Sequence, residues 1–244
     1  MSTPLERLFI VKARALLHDP PYKSACIRER VNHEGEAEEL RRQLLFGKPL
    51  QGYALKEFED VVRDADAVAA GFDRWVLGPY YTTPAVALDA IANIFDPSIS
   101  EELPTTSVEE SRKKAEEALS ELKKIIADAV GVLPPEKSGE GARLAYLLLY
   151  ALYEPLCYLK GLPPSLADTR VPTHTVFDHL YATASMVNWV LYTESGAPLR
   201  GFLVLVDFPG VHAFVDAARK AGDYWAGSWL CLLYTSDAAD ERSS

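Results

Sequence analysis

The chain has little cysteine and no cysteine pattern. Its three cysteines, Cys26, Cys157 and Cys231, form no CxxC pair, so neither a zinc knuckle nor a disulfide framework is indicated. No apolar run is long enough to span a bilayer, and the N-terminus lacks the pattern of a secretory signal. The expected location is therefore the cytoplasm, with no membrane partner. There is no GxGxxG and no GxxxxGK(S/T), the glycine-rich turns that cradle phosphates. Positive charge is not in excess either. A formal net charge of -10 argues against a surface that holds nucleic acid by bulk electrostatics alone. It leaves room for a local basic groove, or for contact through metal ions.

What is there is ordinary globular material. The 244 residues suit one or two domains with a substantial core, and 48% hydrophobic with 25% charged residues excludes disorder. The most informative stretch is Leu16-Leu17-His18-Asp19-Pro20-Pro21. Upstream, Leu5, Leu8, Phe9, Ala13, Leu16 and Leu17 recur at helical spacing. Pro20 disfavours the α conformation at Asp19, so the helix is expected to end about there. An imidazole and a carboxylate then stand side by side at a helix end, a pair that suits one or two divalent cations. His-Asp dipeptides are common by chance, so the reading depends on ligands elsewhere in the chain.

Tyr22 to Pro49 reads as a solvated loop and a surface helix, favoured over a nucleic-acid patch built on Arg28, Arg30, Arg41 and Arg42. Gly52 to Trp75 reads as a helix. Asp66 shares a face there with Val62, Ala69, Ala70 and Asp73, and a carboxylate among small and apolar residues needs a partner. Arg74 and a metal are equal candidates. Gly78 to Pro84 is a turn region, Val86 to Phe95 a short helix, and Asp96 to Pro104 a loop. Overlapping capping boxes at Thr106/Glu109 and Ser107/Glu110 start a helix that runs to about Val130. Residues 131–141 read as a linker, and Ala142 to Leu159 as a core helix despite Pro155, stopped at Gly161. Thr173 is the expected N-cap of the next helix, in which His179 shares a face with Val176, Thr183, Met186 and Val190 and points inward. From Gly201 the period changes: Phe202 to Phe208 is a strand-length apolar run, followed by Pro209-Gly210 and a helix. A domain boundary is expected near residues 196–200.

Four segments, taken together, resemble the large subunit of type III CRISPR–Cas effector complexes of the Cmr subtype (type III-B). They are Lys12 to Lys23, containing His18-Asp19-Pro20-Pro21; Ala65 to Arg74; Asp168-Thr169-Arg170 through His179 to Ala184; and Phe208-Pro209-Gly210-Val211-His212 through to Ser228. Ordinary HD phosphohydrolases place a histidine upstream of the His-Asp pair. Here the candidates His174 and His179 come afterwards, as a permuted HD domain requires. The resemblance implies a mainly α fold: a permuted, all-helical HD domain over residues 1–197, then the first strand and helix of a truncated, ferredoxin-like (α+β) Palm domain over 198–230. The string after Leu230, residues 231–244, looks like a translated sequencing adapter and is expected to be a non-native tail.

The same resemblance implies a metal-dependent phosphodiesterase, a nuclease for single-stranded DNA, within an RNA-guided antiviral complex. His18 and Asp19 would be its catalytic metal ligands, Asp66 and His179 further ligands, and His174 a reserve. The implied cofactor is Mn, Ni, Co or Mg. The implied partners are the other complex subunits, CRISPR RNA and target RNA. Family members also make cyclic oligoadenylates from ATP in a Palm domain marked by Gly-Gly-Asp-Asp. That signature is absent from this chain, so no cyclase residue is assigned. Two other readings stand beside the nuclease: a non-catalytic scaffold with a degenerate HD domain, and a free-standing phosphohydrolase acting on nucleotides.

Overall fold

The computed structural model describes residues 4–45, 58–77, 89–93, 96, 98–134, 137–168 and 172–192, with the side chains of 44, 45, 72–77 and 138 left aside. The chain divides into two compact units, Met1–Arg200 and Gly201–Ser244. The second unit lies outside the described residues, and with it the expected Palm strand and helix and the expected tail. Within the first unit the elements are α1 (Pro4–Ala15), α2 (Lys23–Glu29), α3 (His33–Leu45), α4 (Glu59–Leu77), β1 (Ala90–Ala92), β2 (Ser100–Glu102), α5 (Val108–Gly131), α6 (Ser138–Leu159) and α7 (Val176–Tyr192). This is the mainly helical fold expected, with a small β part. No described helix is long and apolar enough to cross a membrane.

α1 is the hub. It packs on α6 and α7 and touches α4; α7 packs on α4, and α5 bridges α6 and α3. The sequence dictates this, because α1 buries Ile10, Val11, Ala13 and Ala15, and Leu16 and Leu17 follow directly. Its small residues let α6 and α7 approach. The other side of the core is the α5 stripe Ala115, Ala118, Leu119, Leu122 and Ile126, buried as its spacing predicts. Of the two overlapping capping boxes, Ser107 is the one used, its hydroxyl accepting from the Glu110 N–H at 3.2 Å. α6 carries Pro155 in its last two turns and closes at Gly161 (φ 78°), where the Leu162 N–H reaches the Cys157 carbonyl at 3.0 Å. A left-handed residue there suits glycine.

Three local expectations are corrected. The segment read as a short helix from residue 86 contains β1, which pairs antiparallel with β2 in register Ala90↔Glu102. β2 itself falls in the stretch read as a loop. Each strand is only three residues long, too short for a period-two pattern to stand out from a helical one. The polar stretch after Pro21 holds two helices, and α2 buries Ser24, Ala25 and Cys26. The charged residues around it concealed that buried turn.

α2, α3 and α5 are tied by one polar network. Arg112 on α5 donates two hydrogen bonds of 2.7 Å to Glu36 on α3. Glu36 also accepts from the Tyr22 hydroxyl at 2.8 Å. The Arg112 hydrogen bonds hold the Glu36 carboxyl below its usual range, against a smaller upward push from burial. A depressed carboxyl contributes stability above its unfolded pKa and loses it as pH falls through the folded one. Glu36→Gln should therefore lower unfolding free energy at pH 7 by about 1 kcal/mol, since exposure of Arg112 screens the pair. The gap between variant and parent should narrow below about pH 4.3, the unfolded value, and close at lower pH. Urea unfolding from pH 7 down to pH 3 measures it.

Candidate metal centre

The His-Asp pair sits where α1 runs out. Beyond Ala15 the hydrogen bonds tighten: Leu17 N–H donates to the Arg14 carbonyl at 3.1 Å and His18 N–H to the Ala15 carbonyl at 3.4 Å. Pro20 and Pro21 are buried and forbid continuation. The turn is held from outside by Arg41 of α3, whose guanidinium donates to the Leu17 carbonyl at 3.2 Å. Lys23 N–H then bonds the Pro20 carbonyl at 3.1 Å and α2 begins.

A second device fixes α7 against this turn. The Ser24 N–H donates to the Ser165 hydroxyl at 2.8 Å, and the Leu166 N–H to the Ser24 hydroxyl at 2.8 Å. Residues 165–167 also bind the start of α7: Val176 N–H reaches the Ser165 carbonyl at 2.7 Å, and Leu166 bridges Thr175. The cap of α7 is Thr175, not Thr173. Its hydroxyl accepts from the Asp178 N–H at 3.4 Å, and the Asp178 carboxylate accepts the Thr175 N–H at 2.8 Å in return. That shift of two residues keeps the first helical turn adjacent to the Ser24 clamp, with His179 one turn further on.

The four residues singled out in the sequence converge. His18 Nε2 lies 3.6 Å from Asp19 Oδ2 and 3.6 Å from Asp66 Oδ1. His179 Nε2 lies 2.8 Å from the same Asp66 oxygen. The two imidazole rings are 5.3 Å apart, edge to face. One ligand atom from each of His18, Asp19 and His179 falls within 4.8 Å of the others. Two atoms on one ion, with bonds of about 2.0–2.2 Å, are at most about 4.4 Å apart. The 3.6 Å separations fit as they stand, and the widest needs a few tenths of an ångström. The sequence left Arg74 and a metal as partners for Asp66; the Arg74 side chain lies outside the described residues, and beside Asp66 stands His179, 113 residues on. His174 stands apart from this group, its Nδ1 3.4 Å from the Thr173 hydroxyl.

His18 carries the sharpest chemical signature. Its Nδ1 is 2.7 Å from the Ala15 carbonyl, and a carbonyl only accepts, so Nδ1 holds the proton. In the neutral ring Nε2 then presents a lone pair to two carboxylate oxygens. That atom is buried and has no hydrogen-bond partner. A lone pair facing two carboxylates is repulsive unless a cation lies among them, either a proton on Nε2 or a metal ion. The donor set that meets this spacing, the imidazoles of His18 and His179 with the Asp19 carboxylate, suits a borderline divalent ion, and Asp66 stands beside it.

The electrostatics agree. Burial pushes the Asp19 carboxyl up, but His18, Lys23 and His179 together outweigh it and leave it below its ordinary range. Burial likewise raises Asp66, and the His179 hydrogen bond together with the charge of the His18 and His179 imidazoles outweighs that more strongly, leaving it far below. Exposure is uneven: 40% of the Asp66 side chain meets solvent, against 11% for His18, 7% for Asp19 and 6% for His179. The site opens on the Asp66 side.

Two neighbours were not singled out from the sequence. Lys23 places its ammonium 2.6 Å from Asp19 Oδ2, and His33, at the start of α3, comes within 3.9 Å of Asp19 Oδ1. Lys23 stands four residues after Asp19, a helical spacing that the two prolines hid. Nothing in the polar stretch around His33 marks it.

Two comparisons with known proteins bear on this chain. The family model described as "CRISPR-associated protein Cmr2, N-terminal" matches residues 203–241. That match runs beyond residue 230 into the string set aside as a tail. A "CRISPR system CMR subunit Cmr2" of Saccharolobus solfataricus is 30% identical over 233 residues, 92% of this chain and 21% of that protein. The chain thus spans about a fifth of the length of the curated relative. No solved structure matches it.

The Thr175 cap positions His179, so its loss should register both as stability and as geometry. Thr175→Val should cost about 1 kcal/mol in urea unfolding, the usual worth of an N-cap. The imidazole proton signals of His179 should broaden or shift in the variant's NMR spectrum, while those of His18 stay.

Proposed function

Starting from a chain that belongs with the N-terminal part of Cmr-type CRISPR large subunits, we propose that residues 1–197 form a permuted HD domain whose centre binds a divalent metal and cleaves single-stranded DNA. The observation that carries the reading is the buried, partnerless Nε2 of His18, aimed between Asp19 and Asp66 with His179 behind. His18, Asp19, Asp66 and His179 would hold the ion, and Mn, Ni, Co and Mg are the ions to test. When bound, such an ion supplies a lowered water pKa and polarisation of a phosphoryl oxygen.

The chain's own residues do the rest. The Ala15 carbonyl keeps His18 in the tautomer that offers Nε2, and the Arg41 contact to the Leu17 carbonyl keeps the turn from unwinding. Asp66, the exposed member, sits where a strand of nucleic acid has access. Without an ion it accepts a hydrogen bond from His179 Nε2, so the pair holds a proton at that nitrogen, and an ion bound there would take the proton's place. As parts of a larger assembly, other subunits, CRISPR RNA and target RNA are the proposed partners.

The test sets enzyme against scaffold. Replacing His18 and Asp19 together with alanine removes two ligands and one negative charge. The variant should keep its circular dichroism spectrum, lose the rise in thermal midpoint that Mn2+ or Ni2+ gives the parent, and lose cleavage of a single-stranded oligonucleotide to background. A parent chain that cleaves no more than the variant with any of Mn, Ni, Co or Mg overturns the nuclease. The scaffold reading then replaces it.

A further inference from the structure

We infer that Lys23 is the residue that holds a substrate phosphodiester at this centre, and that it is released for the task when a divalent ion takes Asp19 from it. The inference rests on the metal reading above and goes beyond it, because the four proposed ligands leave Lys23 without a role.

Lys23 and an ion want the same atom. The ammonium lies 2.6 Å from Asp19 Oδ2, and that oxygen is the one facing His18 Nε2 at 3.6 Å. A cation seated between His18 and Asp19 would draw on the oxygen that Lys23 now holds. Two positive charges sharing one carboxylate oxygen repel, so ion binding weakens the Lys23 contact. The pair is not a surface ornament. Only 7% of the Asp19 side chain and 17% of the Lys23 side chain are exposed. A released ammonium in so closed a place needs another anion.

Charge balance names that anion. Asp19 and Asp66 contribute two negative charges and the imidazoles, when neutral, none. A divalent ion cancels the carboxylates, and Lys23 then leaves the centre with one positive charge. One phosphodiester carries one negative charge. The nearby guanidiniums are engaged elsewhere: Arg41 with Glu38 at 2.7 Å and Arg14 with Glu59 at 2.9 Å. Lys23 is also built to move. Its backbone is pinned at the first residue of α2 by the Pro20 carbonyl, while its four-carbon stem is flexible. The ammonium can swing towards a phosphate without disturbing the turn that carries His18 and Asp19.

The experiment uses the whole chain with two probes, Mn2+ alone and a short single-stranded oligothymidine with phosphorothioate linkages that resist cleavage. In Lys23→Met, Mn2+ binding followed by electron paramagnetic resonance should tighten at least tenfold, because the competitor is gone. Oligothymidine binding to the Mn2+-loaded protein should weaken at least tenfold, and Lys23→Arg, which keeps the charge, should restore most of it. Lys23→Gln should give the same two shifts if the methionine variant does not fold. Mn2+ binding that is unchanged or weaker in the neutral variants overturns the inference and makes Lys23 a simple brace for Asp19. Unchanged oligothymidine binding overturns it too. A parent chain that binds no Mn2+ is a different failure, that of the metal centre itself.

Discussion

The hydrogen bond between His179 and Asp66 is the contact on which the rest of the site depends. It joins α4 to α7 at 2.8 Å across 113 residues of sequence, and it is made at the end of α1, where His18 and Asp19 are already committed. Remove it and a half-exposed carboxylate is left beside a buried imidazole, each without its best partner. Burying either alone is unfavourable; burying them together, with a second imidazole and a second carboxylate, leaves a cluster that still needs a cation. The fold tolerates that imbalance because the surrounding backbone holds the four side chains firmly. Arg41 grips the turn, Ser24 and Ser165 lock α2 to the approach of α7, and Thr175 starts α7 at the right residue. Polar atoms that are costly in a core are here the means of placing others.

Much of this was legible in the sequence, for reasons that differ from place to place. α1 and α5 were plain because an apolar face at helical spacing is a strong signal over three or more turns. His18-Asp19 was visible because two prolines end a helix without ambiguity. Asp66 and His179 were visible as polar groups on apolar faces, each a cost looking for a partner. That they partner one another could not be read locally, since residues so far apart meet only through tertiary packing. The β-hairpin escaped because strands of three residues carry almost no periodicity. The cap of α7 was misplaced because Thr173 and Thr175 are equally good capping residues by type, and the choice is made by the Leu166 bridge and Ser165, residues outside the helix. Lys23 and His33 escaped for one reason: a charged stretch looks solvated until something turns one of its residues inward.

The net charge of -10 sharpens what the centre must do. A chain so acidic repels a polyanion at long range, and the repulsion weakens with added salt. Affinity for single-stranded DNA, if it resides here, has to be local and come from cations concentrated at one spot. The centre answers that demand in its own composition. On the proposed reading two carboxylates would collect a divalent ion, and the Lys23 ammonium stands next to them. That reading would make the carboxylates, which would otherwise repel a phosphodiester, the agents of its capture. It also separates two ways in which the proposed activity would be lost. On that reading, a sequence that keeps the helices and the Ser24 clamp but changes His18 or Asp19 would retain the scaffold and lose the proposed ion. One that keeps both and changes Lys23 would retain the proposed ion and lose the proposed hold on a phosphate.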